Sequence, residues 1–408
     1  MSPPPSPDVV QPLGWRVLGG WCWCLLAAWF WARLGGPLPF LLAPMLAFAL
    51  ARGLGWRLAE WRHGRALGQC VLGVGLGLRF TDEVVAGLLA RWPLIVGMAL
   101  LALLPTWVGY QAYRRWGRVS PLSACLCALP GGASEMAVLA DRHGASASAV
   151  ALTQGLRVTL VVSVVPWALM ALGSLHPVEP SLGHPTPAAT PTWQAAQATL
   201  ASAWQAGGMS WSLTLAWTAL ISLPTAWLHR RRWSNVWMMA PLLATAALMV
   251  AWEALPAGAL TGWLGPRAHE PWLQWPPGAM EMAQLCLGMT LGGRLDRQAW
   301  TAAPRLSLVA LGVVLASLLL CLGLAGAMAW VQPGVPHAWL THSLSLAPGG
   351  MAEMALLARQ SGAWLPEVIV THVVRLGLVL WVAPWWVHWL QGRHPQDASD
   401  GGLLPPDR

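Results

Sequence analysis

Residues 128–145 read ALPGGASEMAVLADRHGA, and residues 346–363 read LAPGGMAEMALLARQSGA. Both stretches sit in long apolar surroundings, yet each interrupts them with Pro-Gly-Gly and then a carboxylate, Glu135 or Glu353. Proline removes a backbone donor, and glycine loosens the chain that proline has already broken. A carboxylate among apolar helices adds a charge that must be paired or used. A pattern this unfavourable, present in two copies, calls for a common cause.

The surroundings define the setting. The chain has 408 residues, of which 56% are hydrophobic and 10% charged, with a mean hydropathy of +0.52. Soluble domains carry about 25% charged residues. Apolar runs of bilayer length recur, as in LSLVALGVVLASLLLCLGLAGAMAW from Leu306, so an all-α polytopic membrane protein is expected. The first fifteen residues are Pro-rich and lack the basic start of a signal peptide, which reads as a short disordered tail. The net charge of +8 comes from arginine alone, and in such a chain arginine reports loop orientation before it reports an anionic partner. Seven cysteines include Cys22 with Cys24 and Cys125 with Cys127; side chains two apart on a helix point apart, so free thiols are expected.

Working outward from the quoted stretches, a constant offset of 218 aligns Pro130 with Pro348, Thr153 with Thr371, Arg157 with Arg375 and Pro166 with Pro384. Upstream, QCVLGVGLGLR from Gln69 resembles QLCLGMTLGGR from Gln284, and LAPMLA from Leu42 resembles MAPLLA from Met239. The repeats span 16–174 and 207–390, with a Pro-, Ala- and Thr-rich linker over 175–206 and a tail over 391–408. Equivalent loops differ in arginine: 52–65 carries Arg52, Arg57, Arg62 and Arg65 where 253–275 has Arg267, and 113–118 carries three where 331–338 has none. Conversely, one arginine near Arg33 matches three at Arg230, Arg231 and Arg232. By the positive-inside rule, equivalent loops face opposite sides, which predicts inverted-topology repeats. Inversion needs an odd number of crossings per repeat, and each repeat shows six hydrophobic segments. About five transmembrane helices plus one re-entrant Pro-Gly-Gly hairpin per repeat satisfy the count. Both tails then face the cytoplasm and the linker faces the periplasm.

The paired PGGxxEMA…GA…R segments and the two-fold repetition resemble the AbrB duplication family of bacterial membrane proteins. The resemblance implies an inner-membrane location and carries two functional labels, ammonia monooxygenase and regulator of gene expression. It also implies distant kinship with secondary transporters built from five-helix inverted repeats.

Non-helical backbone at membrane depth is tolerated only inside protein or beside a water-filled cavity. The candidate substrate or ion site is therefore Pro130, Gly131, Gly132, Ser134 and Glu135 in the first repeat. In the second it is Pro348, Gly349, Gly350 and Glu353, with His372 nearby. Arg157 and Arg375, each 22 residues beyond its glutamate, belong to the same candidate site, as structural partners of those glutamates, in ligand or proton coupling, or both. Arg79 and Arg294, which close the third segment of each repeat, are read as interfacial anchors. The histidines are scattered without a metal-ligand spacing, so neither a metal, a cofactor nor an oxygenase is expected. No DNA-binding motif is present, so direct contact with nucleic acid is not expected either.

The expected partners are the lipid bilayer and a small solute or ion, and a homo-oligomer is left open. The favoured function is a secondary transporter or solute-responsive channel. The alternative is a membrane regulator of gene expression that does not touch DNA, with ammonia oxidation the weakest reading.

Overall fold

The computed structural model describes residues 13–56, 58–131, 133–172, 193–231, 235–254, 275, 278–294, 303–332, 334–335 and 337–393. Among these, all regular structure is helical. The first half runs α1 (Leu13–Arg33), α2 (Pro39–Gly53), α3 (Gly64–Gly77) and α4 (Asp82–Ala90). It continues as α5 (Trp92–Leu101), α6 (Leu104–Arg115), α7 (Pro121–Ala128), α8 (Ala133–Arg142) and α9 (Ala147–Ala171). The second half runs α10 (Trp193–Arg230), α11 (Val236–Ala254), α12 (Ala279–Gly293) and α13 (Pro304–Val331). It ends with α14 (Ala338–Leu346), α15 (Met351–Ser361) and α16 (Leu365–Arg393).

Among the described residues, four segments are long and apolar enough to cross a membrane: Trp92–Arg115, Ala147–Ala171, Pro304–Val331 and Leu365–Gly392. The first is α5 and α6 end to end, separated where Pro105 withdraws a helix donor. Their apolar surface is turned outward. Only 28% of the Pro304–Val331 window is buried, and Leu308, Leu319 and Trp330 of that helix are exposed. A helix this apolar and this exposed suits a hydrocarbon surrounding.

The halves pack by exchange. Position by position, α2 corresponds to α11 and α3 to α12, and α2 packs against α12 while α11 packs against α3. In the same way α9 packs against α13, and its counterpart α16 packs against α5. Glycines set the close approaches. A Cβ added at Gly73 would lie 2.7 Å from Met238 O, and one at Gly77 would lie 2.7 Å from Leu242 O. The counterparts Gly288 and Gly292 on α12 meet Leu41 O and Met45 O more tightly still. Glycines four apart let helix backbones touch, the usual solution where lipid removes any hydrophobic drive between helices.

Several boundaries differ from the sequence reading. Helix α1 begins at Leu13, inside the expected tail, because the apolar run starts before Trp15. Helix α10 begins at Trp193, so 193–206 is helical although the stretch 175–206 reads as linker; Ala and Gln there favour helix once the last prolines are passed. Helix α4 is an additional short element, started by Thr81, whose hydroxyl accepts from Val84 N. Residues 1–12, 173–192 and 394–408 lie outside the described residues.

Candidate functional site

Each Pro-Gly-Gly lies between two short helices, α7 and α8 in the first half and α14 and α15 in the second. Hydroxyls tie the base of each pair to the long helix that follows. Ser123 Oγ accepts from Ser146 N at 3.0 Å, and at the matching place Thr341 Oγ1 accepts from Trp364 N at 3.0 Å.

The arginines hold the breaks themselves. Arg157 donates from Nη1 to Leu129 O at 3.0 Å and from Nη2 to Gly131 O at 3.3 Å. Arg375 donates in the same way to Ala347 O at 2.8 Å and Gly349 O at 3.1 Å. In both halves, then, one guanidinium spans the two carbonyls that flank the proline. Those carbonyls have left the helix ladder and need donors, and a planar fork of N–H groups reaches both at once. In the second half this corrects the expected glutamate–arginine pairing: Arg375 donates to backbone carbonyls, and Arg65 and Arg294 line the same cavity as Glu353. A carbonyl partner costs less than a buried carboxylate, because only one charge has to leave water. For Arg157 the bonded partners among the described residues are likewise carbonyls, and the Glu135 side chain lies outside the described residues.

Between the two breaks lies a cavity of about 130 Å³. Of the residues predicted for the site, Pro130, Gly131, Arg157, Gly349, Gly350, Glu353, His372 and Arg375 line it. Pro348 is buried and is not a lining residue. Gly132 lies outside the described residues, and for Ser134 and Glu135 the described feature is the backbone, in the first turn of α8. The Glu353 carboxylate folds back over Gly350, so close that a Cβ at 350 would collide with it. His372 Nδ1 lies 2.9 Å from Val368 O in its own helix.

Sequence reasoning missed Arg65, Gln69, Asn235, Thr290 and Arg294 as lining residues. Arg294 was read as an interfacial anchor; it reaches the cavity because α12 ends beside it. Gln154 was also missed. Its Nε2 lies 2.9 Å from Leu126 O, 3.3 Å from Cys127 O and 2.9 Å from Leu129 O, bracing the first break from behind. One signal was present: at the offset of 218, Gln154 occupies the place of His372. All seven cysteines are free thiols, and all but Cys22 are buried.

Apolar helices of membrane length around a polar, arginine-lined centre make this a helical protein of membrane type. A family model described as "Transition state regulatory protein AbrB" matches residues 40–391, and the chain belongs to the AbrB family. It is 26% identical over 323 residues to "Uncharacterized protein YhjN" of Bacillus subtilis (strain 168), covering 79% of this chain and 77% of that one. It is 24% identical over 352 residues to "Putative regulator AbrB" of Escherichia coli (strain K12), covering 85% and 88%. No solved structure matches the chain.

Proposed function

We propose that this protein is a secondary transporter of the bacterial inner membrane that carries a small anionic solute through the cavity between its Pro-Gly-Gly breaks. The observation that carries this reading is the charge of the lining: Arg65, Arg157, Arg294 and Arg375 against one described carboxylate, Glu353. Arg157 and Arg375 each spend two donors on carbonyls, and a guanidinium has five, so donors remain for a carboxylate, sulfate or phosphate group. Interrupted segments that meet at one place are the usual substrate sites of inverted-repeat transporters.

On this reading the halves are inverted repeats, α7–α8 and α14–α15 are re-entrant hairpins, and both tails are cytoplasmic. The exchanged packing of α2, α3, α11 and α12 supports the two-fold relation. The cavity draws on the start of α3, the start of α11 and the end of α12 through Arg65, Asn235 and Arg294. Those ends border the arginine-rich loops, so the cavity faces the cytoplasm.

The test is a thermal-stability screen of purified protein against small carboxylates, phosphates and sulfates. A ligand at one hundred times its dissociation constant adds about 2.7 kcal/mol. A hit should be lost in Arg65→Gln and Arg294→Gln variants and should show flux in proteoliposomes. Absence of any anion-dependent shift together with anion-independent solute flux would remove the anionic assignment.

The name of the Escherichia coli relative favours a second reading, a membrane regulator of gene expression that acts without touching DNA. The cavity variants separate the two readings. Regulation that survives the loss of flux belongs to another surface of the protein.

A further inference from the structure

His342 and Glu367 form a buried pair away from the cavity lining. Nδ1 of His342 lies 2.9 Å from Oε1 of Glu367, and both side chains are 0% exposed. They join α14 to α16, two helices whose register is set by contacts on either side. Before the pair, Thr341 accepts from Trp364 N; after it, Ala347 O accepts from Arg375. Between the pair and Arg375 stand Ser345, one turn beyond His342, and Thr371, one turn beyond Glu367. Both are fully buried.

Four polar atoms of this file have no hydrogen-bond partner among the described residues: His342 Nε2, Glu367 Oε2, Ser345 Oγ and Thr371 Oγ1. So does Nε2 of His372, the next residue on α16, which lines the cavity. An unpaired buried polar atom is unfavourable, so a fold without a use for the file should have replaced it.

The first half shows that the packing does not require it. At the offset of 218, Ala124 and Ala149 take the places of His342 and Glu367, and Cys127 that of Ser345. Thr153 takes the place of Thr371, and its hydroxyl is satisfied by Ala149 O at 2.9 Å and Val150 O at 3.1 Å. The contrast lies at the pair and the hydroxyls: the first half has alanines in place of the pair and a bonded threonine hydroxyl, while Gln154 Oε1, at the place of His372, is unpaired as His372 Nε2 is.

We propose that His342 and Glu367 bind one proton per pair, delivered by water along the Ser345–Thr371 file that runs between the pair and the central cavity. With a neutral imidazole and an ionised carboxylate, the pair carries one negative charge, and Nδ1–H donates to Oε1. A proton added at Nε2, with the Nδ1 proton passed to Oε1, leaves imidazole protonated at Nε2 beside a carboxylic acid. The net gain is one proton, and the pair becomes neutral.

Few other ionisable groups surround the pair. Helix α5 brings none, and α13 brings Arg305 at its far end and Cys321, whose thiol donates to Leu346 O at 3.2 Å. Helix α15 brings Glu353 and Arg359, α4 brings Asp82 and Glu83, and α7 brings Cys125 and Cys127. Along α16 itself follow His372 and Arg375, then His388 and Arg393 near its end. If the protein transports, the proton is its coupling ion, and that last step alone rests on the transport reading above.

The experiment uses full-length protein in nanodiscs and needs no solute. Cys127, the native counterpart of Ser345, is the internal reference. In backgrounds with the other thiols replaced by alanine, a small cationic methanethiosulfonate should modify Ser345→Cys about ten-fold or more faster than Cys127, because only a hydrated thiolate reacts. Infrared difference spectra between high and low pH should show a carboxylic-acid band in wild type that disappears in Glu367→Gln. The double variant His342→Ala/Glu367→Ala, which copies the first half, should fold and lack the band. Equal slow labelling at both positions, or a band that persists in the double variant, overturns the proposal. A protein that passes both tests but moves no solute keeps the proton site and loses the transport reading.

Discussion

Arg157 and Arg375 take their meaning from the carbonyls beside them. A helix interrupted by Pro-Gly-Gly leaves acceptors unpaired, and the nearest rigid donor with two arms is a guanidinium on the following helix. Arg375→Met should therefore destabilise the protein by about 1–3 kcal/mol, the cost of orphaned buried acceptors, as read by denaturant or thermal unfolding in detergent. Glu353→Gln in the same background should add to that loss within about 0.5 kcal/mol, since Arg375 does not depend on Glu353 for its bonds. A large coupling between the two would restore the carboxylate–arginine pair. Gln154→Leu should cost about 1–3 kcal/mol by freeing the carbonyl of Leu126, which Gln154 holds at 2.9 Å, while Leu129 O keeps its bond from Arg157.

Helices α2, α3, α11 and α12 approach one another as closely as glycine allows, and that contact joins the two halves. Gly288→Val puts a branched side chain against Leu41 O, where nothing can move aside except backbone. Overpacking of this kind costs about 1–3 kcal/mol. Gly312→Val on α13 has open space around its new Cβ and should leave stability within about 0.5 kcal/mol. Comparing the melting temperatures of the two variants tests whether the glycine contacts or general helix propensity hold the halves together. The same reasoning explains why α2, at 15 residues and about 22 Å, is apolar yet shorter than a bilayer is thick. It serves as packing for α12.

At the scale of the whole molecule, the two halves come together at one cavity. Val158 and Leu376 occupy equivalent positions and both line it. Cysteines at these two places, in a background freed of native thiols, should crosslink with a short bifunctional reagent. Failure to crosslink would mean that the breaks do not share a cavity. Orientation has its own test. Single cysteines at Gly55 and Gly334 should be labelled by an impermeant reagent from opposite faces of the membrane, and labelling from one face would end the inverted reading.

The amino-acid sequence by itself determined the long apolar helices, the family and the offset that matches one half to the other, because these depend on local composition and spacing. It also marked the prolines, glycines and arginines of the breaks, since an expensive pattern stands out wherever it lies in the chain. What each arginine bonds was decided by tertiary structure. The choice between carbonyl and carboxylate turns on which acceptor comes within about 3 Å once α9 and α16 are packed. Arg65, Asn235 and Arg294 read as loop or boundary residues and become cavity lining only because the ends of α3, α11 and α12 converge. His342 and Glu367 were illegible for a related reason. They are 25 residues apart in separate helices, and two isolated polar residues become a pair only when burial leaves each no partner but the other.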